Sequence, residues 1–351
     1  MNHALPERDA DGDTAAPGLF ALFVRAELLS FLAGAVLIAG YLASLHPFPA
    51  PRIGSGYSFN EKARWLRHAL ERHSCDVLVL GSSVALNGVD SAELAAAYPG
   101  ATVVNAAYWG GKMSEDEMVL RILSRLCRPK VVILPVTWLD FKPGVQESNW
   151  THYEKYVGGQ PTLEAYLEAP DLLYYIHAGL YFAAGQTLQP EGRRRYLNLY
   201  FDQGGAVLLS VEGFVREPRR WDGYLEERRN VVDGAGLEAL GRLAAQARQL
   251  GARLVVSPIP MRPIAEKTFF PAERVALWQS VQAQIRPQGG EFLVDPRTSD
   301  FGDALHADYD HLNAAGAKTW TRWLAGTLTR AGQGEPAAAT GPSPAVPAGQ
   351  P

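Results

Sequence analysis

Basic stripes, metal-ligand spacings and repeated hydrophobic spans are all missing from this 351-residue chain. Its 33 Lys and Arg stand against 37 Asp and Glu, and most of that imbalance sits at the two ends. Residues 19–330 hold 32 of each sign. A neutral body without clustered Lys or Arg argues against a nucleic-acid footprint. It also supplies no field for steering strongly charged substrates. Cysteine is almost absent: Cys75 and Cys127 are the two present, without ligand spacing, and the 8 histidines form no His-Glu-x-x-His signature. Neither a metal site nor a cofactor is expected. Hydrophobic residues make up 47% of the chain, an ordinary share for a globular protein, which excludes wholesale disorder and a multi-span membrane protein.

One uncharged run does stand out. From Leu28 to Leu45 lie 18 residues without a charge, with Ser30 and Ser44 as the polar exceptions, before Pro47, Pro49 and Pro51. A core helix of a globular protein would show a polar face, so the run reads as a single membrane span within 19–46, followed by linker and helix over 47–74. No small-residue cleavage site follows, which makes it an uncleaved signal anchor. Lys and Arg favour the C-terminal flank (Arg52, Lys62, Arg64, Arg67) over the N-terminal one (Arg8, Arg25), against the usual positive-inside pattern. Residues 1–18 and 331–351 are polar, or rich in Ala, Pro and Gly, and too poor in apolar surface to offset their ordering entropy. Both are expected to be mobile.

From residue 75 to 330 strand and helix patterns alternate. Short apolar, β-branched runs at Val77–Leu80, Thr102–Val104, Val131–Val136, Leu254–Ser257 and Phe292–Val294 read as buried parallel strands. Helical patterns lie at Gly236–Leu250, Pro271–Ile285 and Ala314–Thr329, and Ser114-x-x-Glu117 reads as a capping box opening another helix. The expected fold is α/β, a three-layer α/β/α sandwich. Residues 145–232 break the rhythm, with 9 of the 14 tyrosines and three arginine clusters, and read as a helical insertion after the third strand. Its aromatics could stack on sugar rings or form the insertion's own core.

Two stretches carry chemistry. The first strand ends Gly81-Ser82-Ser83, a turn that places a hydroxyl and backbone N–H groups at the carboxyl edge of the sheet, where open α/β sheets bind ligands. A plain turn would look the same. Far along the chain, Asp308-Tyr309-Asp310-His311-Leu312-Asn313 precedes the last helix, with Asn313 suited to cap it. An Asp three residues before a His can hold one imidazole nitrogen and leave the other to take a proton from a serine. Asp303 and His306 have the same spacing. His311 is preferred because the capped helix directly after it would fix its position.

Together these stretches resemble the SGNH/GDSL hydrolase superfamily. Gly81–Ser83 matches its first block, Asp308-x-x-His311 its last, and Asn105-Ala106-Ala107-Tyr108-Trp109-Gly110-Gly111 its second. The resemblance covers about residues 75–142 and 235–330. It implies a five-stranded parallel flavodoxin-like sheet of order 2-1-3-4-5 and a serine acyl-transfer mechanism. Ser83 would be the nucleophile, His311 the base and Asp308 its orienter. The N–H groups of Ser83 and Gly110 would form part of the oxyanion hole. The third strand ends Thr137-Trp138-Leu139-Asp140, without the Asn usual in the third block. Losing one oxyanion donor costs on the order of 100-fold in turnover.

The anchor, the Gly-Ser-Ser turn, Gly88-Val89-Asp90 and the missing Asn are similar to an envelope branch of the superfamily. That branch O-acetylates polysaccharides or transfers D-alanine to teichoic acid beside a multi-span membrane acyltransferase. The resemblance implies a glycan or acyl-ester substrate and a body on the periplasmic or extracellular side. A general small-ester esterase and a non-catalytic glycan-binding or assembly component are the alternatives. The implied sheet order also makes the first and third strands neighbours, with Cys75 and Cys127 at their amino-terminal ends. A disulfide is therefore expected, with two buried thiols as its alternative.

Overall fold

The computed structural model describes residues 16–44, 50–142 except 55 and 73, 148–160, 166, 173–175, 199, 201–210, 234–297 except 264–270, and 300–332. The linker 45–49, most of the insertion with its arginine clusters, and nearly all of both terminal tails lie outside them. The chain divides into two units, one holding the N-terminal helix and the other the sheet.

Helix α1 spans Ala16–Ser44, so Ala16 to Gly18, assigned above to a mobile terminus, are helical. Its stretch Gly18–Tyr41 has 24 residues and a mean hydropathy of 2.0, long and apolar enough to cross a membrane. At 1.5 Å per residue it is about 36 Å long, against a hydrocarbon core of about 30 Å. Large apolar side chains such as Leu19, Phe23, Phe31 and Leu37 stand exposed around it.

The second unit is an α/β/α sandwich on an all-parallel sheet of order β2-β1-β3-β4-β5. Its strands are β1 (Val77–Val79), β2 (Val103–Asn105), β3 (Val131–Val136), β4 (Arg253–Pro258) and β5 (Glu291–Phe292). Each falls within a residue or two of the run expected from sequence. Period-2 alternation divides the sheet into two apolar faces. Leu78, Leu80, Val104, Val132, Leu134, Leu254 and Val256 belong to one large core with α5 (Met113–Leu126), α7 (Gly234–Gln249) and α8 (Pro271–Ile285). On the other face lie α3 (Ser83–Gly88), α4 (Ser91–Ala97) and α9 (Ala314–Gly332), the last packed on the first two. Burial of both faces explains why the strands read as continuous apolar runs.

Two local readings change. Helix α5 starts at Met113, a residue before the expected capping box; Glu115, not Glu117, reaches back, accepting the Lys112 N–H at 2.9 Å. Glu117 instead pairs with Arg242 of α7. In the insertion, α6 (Trp150–Val157) is helical as expected and its tyrosines pack inward, the core alternative of the sequence reading, although the core they join includes α2. Tyr153 stacks on Phe59 of α2 (Tyr57–Ala69) with ring centroids 5.0 Å apart, and Trp150 meets the same ring edge-on. Tyr153 is part of the core, and half-buried Trp150 packs against it.

Cys75 and Cys127 are joined in a disulfide with Cα atoms 5.7 Å apart. They precede β1 and β3, which pair in parallel from Val77↔Val131 onward. The sheet order brings the two sulfurs within bonding reach.

Candidate active site

Every stretch singled out for chemistry arrives at the carboxyl edge of the sheet, where the strand order reverses around β1. Open α/β sheets place ligands at this point. After β1 the backbone turns sharply through Gly81, at φ 132°. Glycine is required there twice over: other residues avoid this conformation, and a Cβ would stand 2.8 Å from Ala85 Cβ and 3.1 Å from the Pro135 carbonyl. Ser82 then sits at the N-cap in extended backbone, and half-buried Ser83 is the first residue of α3. A hydroxyl at that position stands beside the unsatisfied N–H groups of a helix start.

The Asp308–His311 pair is formed. His311 Nδ1 lies 2.8 Å from Asp308 Oδ2 and 2.9 Å from Oδ1. Oδ1 also accepts the backbone N–H groups of Asp310 and His311. The Asp308 side chain is fully buried and the imidazole is 16% exposed. Burial by itself would raise the Asp308 pKa. The imidazolium charge, the ring hydrogen bond and the two N–H groups outweigh it and hold the carboxyl below its usual range. The next residues anchor the loop: Asn313 Oδ1 accepts from Gly316 at 3.0 Å, capping α9, and its Nδ2 donates to Ala304.

The same-spaced pair Asp303 and His306 is engaged elsewhere. Asp303 makes two 2.6 Å bonds to the Arg262 guanidinium. The buried His306 ring faces backbone carbonyls at both nitrogens, Gly302 at 2.9 Å and Pro260 at 3.3 Å. Burial lowers its pKa, against the pull of those carbonyls.

Ser83 opens α3 and His311 lies in the loop just before α9, and α3 and α9 pack together. Gly88, at the end of α3, approaches Leu312: a Cβ there would be 3.9 Å from its Cδ1. Residues 201–210 tie the two further. Val207 donates to the Leu86 carbonyl and Leu209 accepts from Ala314. Lys62 of α2 is fully buried behind this segment, donating to the carbonyls of Asn105 at 2.8 Å and Gly205.

In the second block, Asn105 is spent on structure, donating to Ala85 and accepting from Ala107. Trp109 donates its N–H to Ser58 at 2.9 Å. Gly110, the expected oxyanion donor, is exposed in the left-handed region at φ 77°. Gly111 is the residue that closes on the reactive turn: a Cβ would lie 3.1 Å from the Gly81 carbonyl and 3.4 Å from Ser82 Cα.

After β3, where the Asn is missing, buried Asp140 accepts from Thr137 N–H at 2.6 Å and Thr137 Oγ1 at 3.2 Å. The Ser82 side chain is near enough to favour its ionised form. Asp116 of α5 accepts from Gly81 N–H at 3.0 Å. Sequence reasoning missed Asp116, and mentioned Asp140 only as part of a strand end lacking Asn. An acidic residue in the first turn of a helix looks like a dipole partner, and nothing local reveals that it is buried. Among the described residues no group of three His, Cys, Asp or Glu could hold a metal ion. Comparison of the chain with protein-family models gives no match, and none of the curated proteins matches it.

Proposed function

We propose that this protein is a membrane-anchored serine acyl-transfer enzyme of SGNH/GDSL type, an O-acyltransferase or acylesterase acting on an envelope or extracellular polysaccharide. The observation that carries the reading is the Asp308–His311 pair, built into a capped loop at the same sheet edge as the Gly81–Ser83 turn. In this mechanism Ser83 Oγ attacks the acyl carbonyl while His311 Nε2 takes its proton. Asp308 fixes the ring tautomer and stabilises the imidazolium. The tetrahedral oxyanion is met by the N–H groups of Ser83 and Gly110. Collapse breaks the ester bond, the alkoxide leaves with the proton from His311, and an acyl-Ser83 ester remains. A glycan hydroxyl, deprotonated by His311, then takes the acyl group and regenerates Ser83; water in its place gives hydrolysis.

The body is assigned to the periplasmic or extracellular side. The Cys75–Cys127 disulfide supports this, since such bonds persist in oxidising compartments. A multi-span membrane acyltransferase is the proposed donor-side partner. One observation favours a second reading, a non-catalytic glycan-binding or assembly component: the end of β3 supplies Asp140, bonded to Thr137, where an oxyanion-donating Asn would stand. Turnover of an activated acetyl ester separates the two. The enzyme reading expects turnover abolished in Ser83→Ala and partly retained in Ser82→Ala. No turnover in wild type, or equal loss in both variants, would contradict it.

A further inference from the structure

Two buried carboxylates stand against consecutive residues of the Gly81–Ser83 turn, one of them bonded to it. Asp116 reaches from the first turn of α5 to the Gly81 N–H at 3.0 Å. Asp140, in the loop after β3, is oriented by Thr137 through its N–H at 2.6 Å and Oγ1 at 3.2 Å, and it stands near enough to the Ser82 side chain to be stabilised by it in its ionised form. Their residues are 2% and 3% exposed. Gly81 stands at φ 132°, a conformation open to glycine and avoided by other residues. The two carboxylates come from different elements, and both stand against the residues directly before Ser83.

We propose that Asp116 and Asp140 are positioning residues, a bracket that fixes the Gly81–Ser82 turn and thereby sets where the Ser83 hydroxyl stands relative to His311. The proposal rests on Ser83 being the nucleophile. Neither carboxylate touches the reacting atoms.

The charged and titratable groups facing the bracket define its protonation. Glu115 and Tyr108 flank Asp116, with Tyr153 beyond Tyr108, and Lys112 stands near Asp140. Burial pushes the Asp116 carboxyl well above its usual range, and the negative charges of Asp140 and Glu115 push it further; the Gly81 N–H opposes weakly. Burial also raises Asp140, but Ser82, Thr137 and Lys112 all favour its ionised form. Two interacting carboxylates in a dry site do not both ionise readily. The proton belongs on Asp116 and the charge on Asp140. A neutral carboxyl still accepts the Gly81 N–H, and an asparagine at 116 can do the same.

That assignment has a definite sign. A carboxyl with a raised folded pKa contributes stability that is complete below its unfolded pKa, about 3.9, and lost as pH rises through the folded value. Asparagine loses nothing over that range.

The test uses the full chain in detergent, with Asp116→Asn, Asp116→Ala and Asp140→Asn. It measures kcat and KM on an activated acetyl ester and melting temperature from about pH 5 to about pH 9. Asp116→Ala should lower kcat by about 100-fold with KM little changed, as for a misplaced nucleophile. Asp116→Asn should recover most of that loss, and Asp140→Asn should lower kcat. The melting temperature of Asp116→Asn should exceed wild type by a margin that grows with pH. An asparagine variant as slow as the alanine one, or a silent Asp140→Asn, would overturn the bracket, and a margin flat with pH would overturn the charge assignment. If the alanine variant does not fold, the kcat of Asp140→Asn decides. A wild type without turnover defeats the nucleophile reading, whereas the melting margin tests the charge assignment independently of any activity.

Discussion

Asp308 grips His311 from two sides: Oδ1 accepts its backbone N–H at 2.8 Å, while Oδ2 lies 2.8 Å from ring Nδ1. The turn and the ring are thus set by one buried carboxylate, which fixes both the tautomer and the direction of Nε2. His311→Ala should cost as much turnover as Ser83→Ala, because residues that act as a unit lose activity non-additively. Asp308→Asn should lower kcat by about 10⁴-fold. Steady-state kinetics on an activated acetyl ester, with circular dichroism to verify folding, reads both. Retained activity in His311→Ala would remove the base.

His306 provides the contrast. Its ring is buried between the carbonyls of Gly302 and Pro260, so His306→Ala should lower stability by about 1–3 kcal/mol. The kcat of the folded fraction should stay within a few-fold of wild type. Loss of kcat without loss of melting temperature would move the chemistry toward Asp303 and His306.

The disulfide closes a sequence separation of 52 residues. Chain-entropy arguments give such a loop about 4 kcal/mol of stabilisation. Thiol titration of denatured, non-reduced protein should find no free thiol. Reduction, or Cys75→Ala with Cys127→Ala, should lower the denaturant midpoint correspondingly. Two titratable thiols in protein isolated from its native compartment would contradict both the bond and the exported body.

Glu61 gives a pH signature unrelated to the reactive turn. Burial raises its pKa to about 7, although the Arg64 charge 2.6 Å away pulls it down. The folded value lies above the unfolded one, so stability falls as pH climbs from about 4.5 to about 7. Glu61→Gln removes that fall. Chemical denaturation should show the variant gaining on wild type by about 3 kcal/mol between pH 4.5 and pH 8. A margin that shrinks with rising pH would show that the ion pair dominates.

Much of this fold was legible because burial on both sheet faces forces apolar runs rich in β-branched residues, as in Val131–Val136, where Leu134 and Pro135 are the exceptions. The sheet order, taken from the family resemblance, put Cys75 beside Cys127. The Asp308-x-x-His311 pair was legible because Asp308 bonds both the backbone and the ring of a residue three positions away. Asp303-x-x-His306 has identical spacing, and only tertiary contacts separate them: Arg262 claims Asp303, and two carbonyls claim His306. Asp116 and Asp140 were hidden for the same reason. Their partner, the Gly81–Ser82 turn, is some 35 residues from one and further from the other, and no periodicity marks a carboxylate as buried. The inward packing of Trp150 and Tyr153 on Phe59 was likewise invisible, since aromatic clusters in an insertion read the same whether they build core or line a cleft.

The central claim is that Ser83 forms the acyl bond. A fluorophosphonate forms a stable ester with an activated serine, and mass spectrometry of the digested protein locates the added group. The account predicts one adduct, on Ser83, absent from Ser83→Ala and from His311→Ala, and still present in Ser82→Ala. An unlabelled wild-type protein, or an adduct on Ser82 or elsewhere, would contradict it.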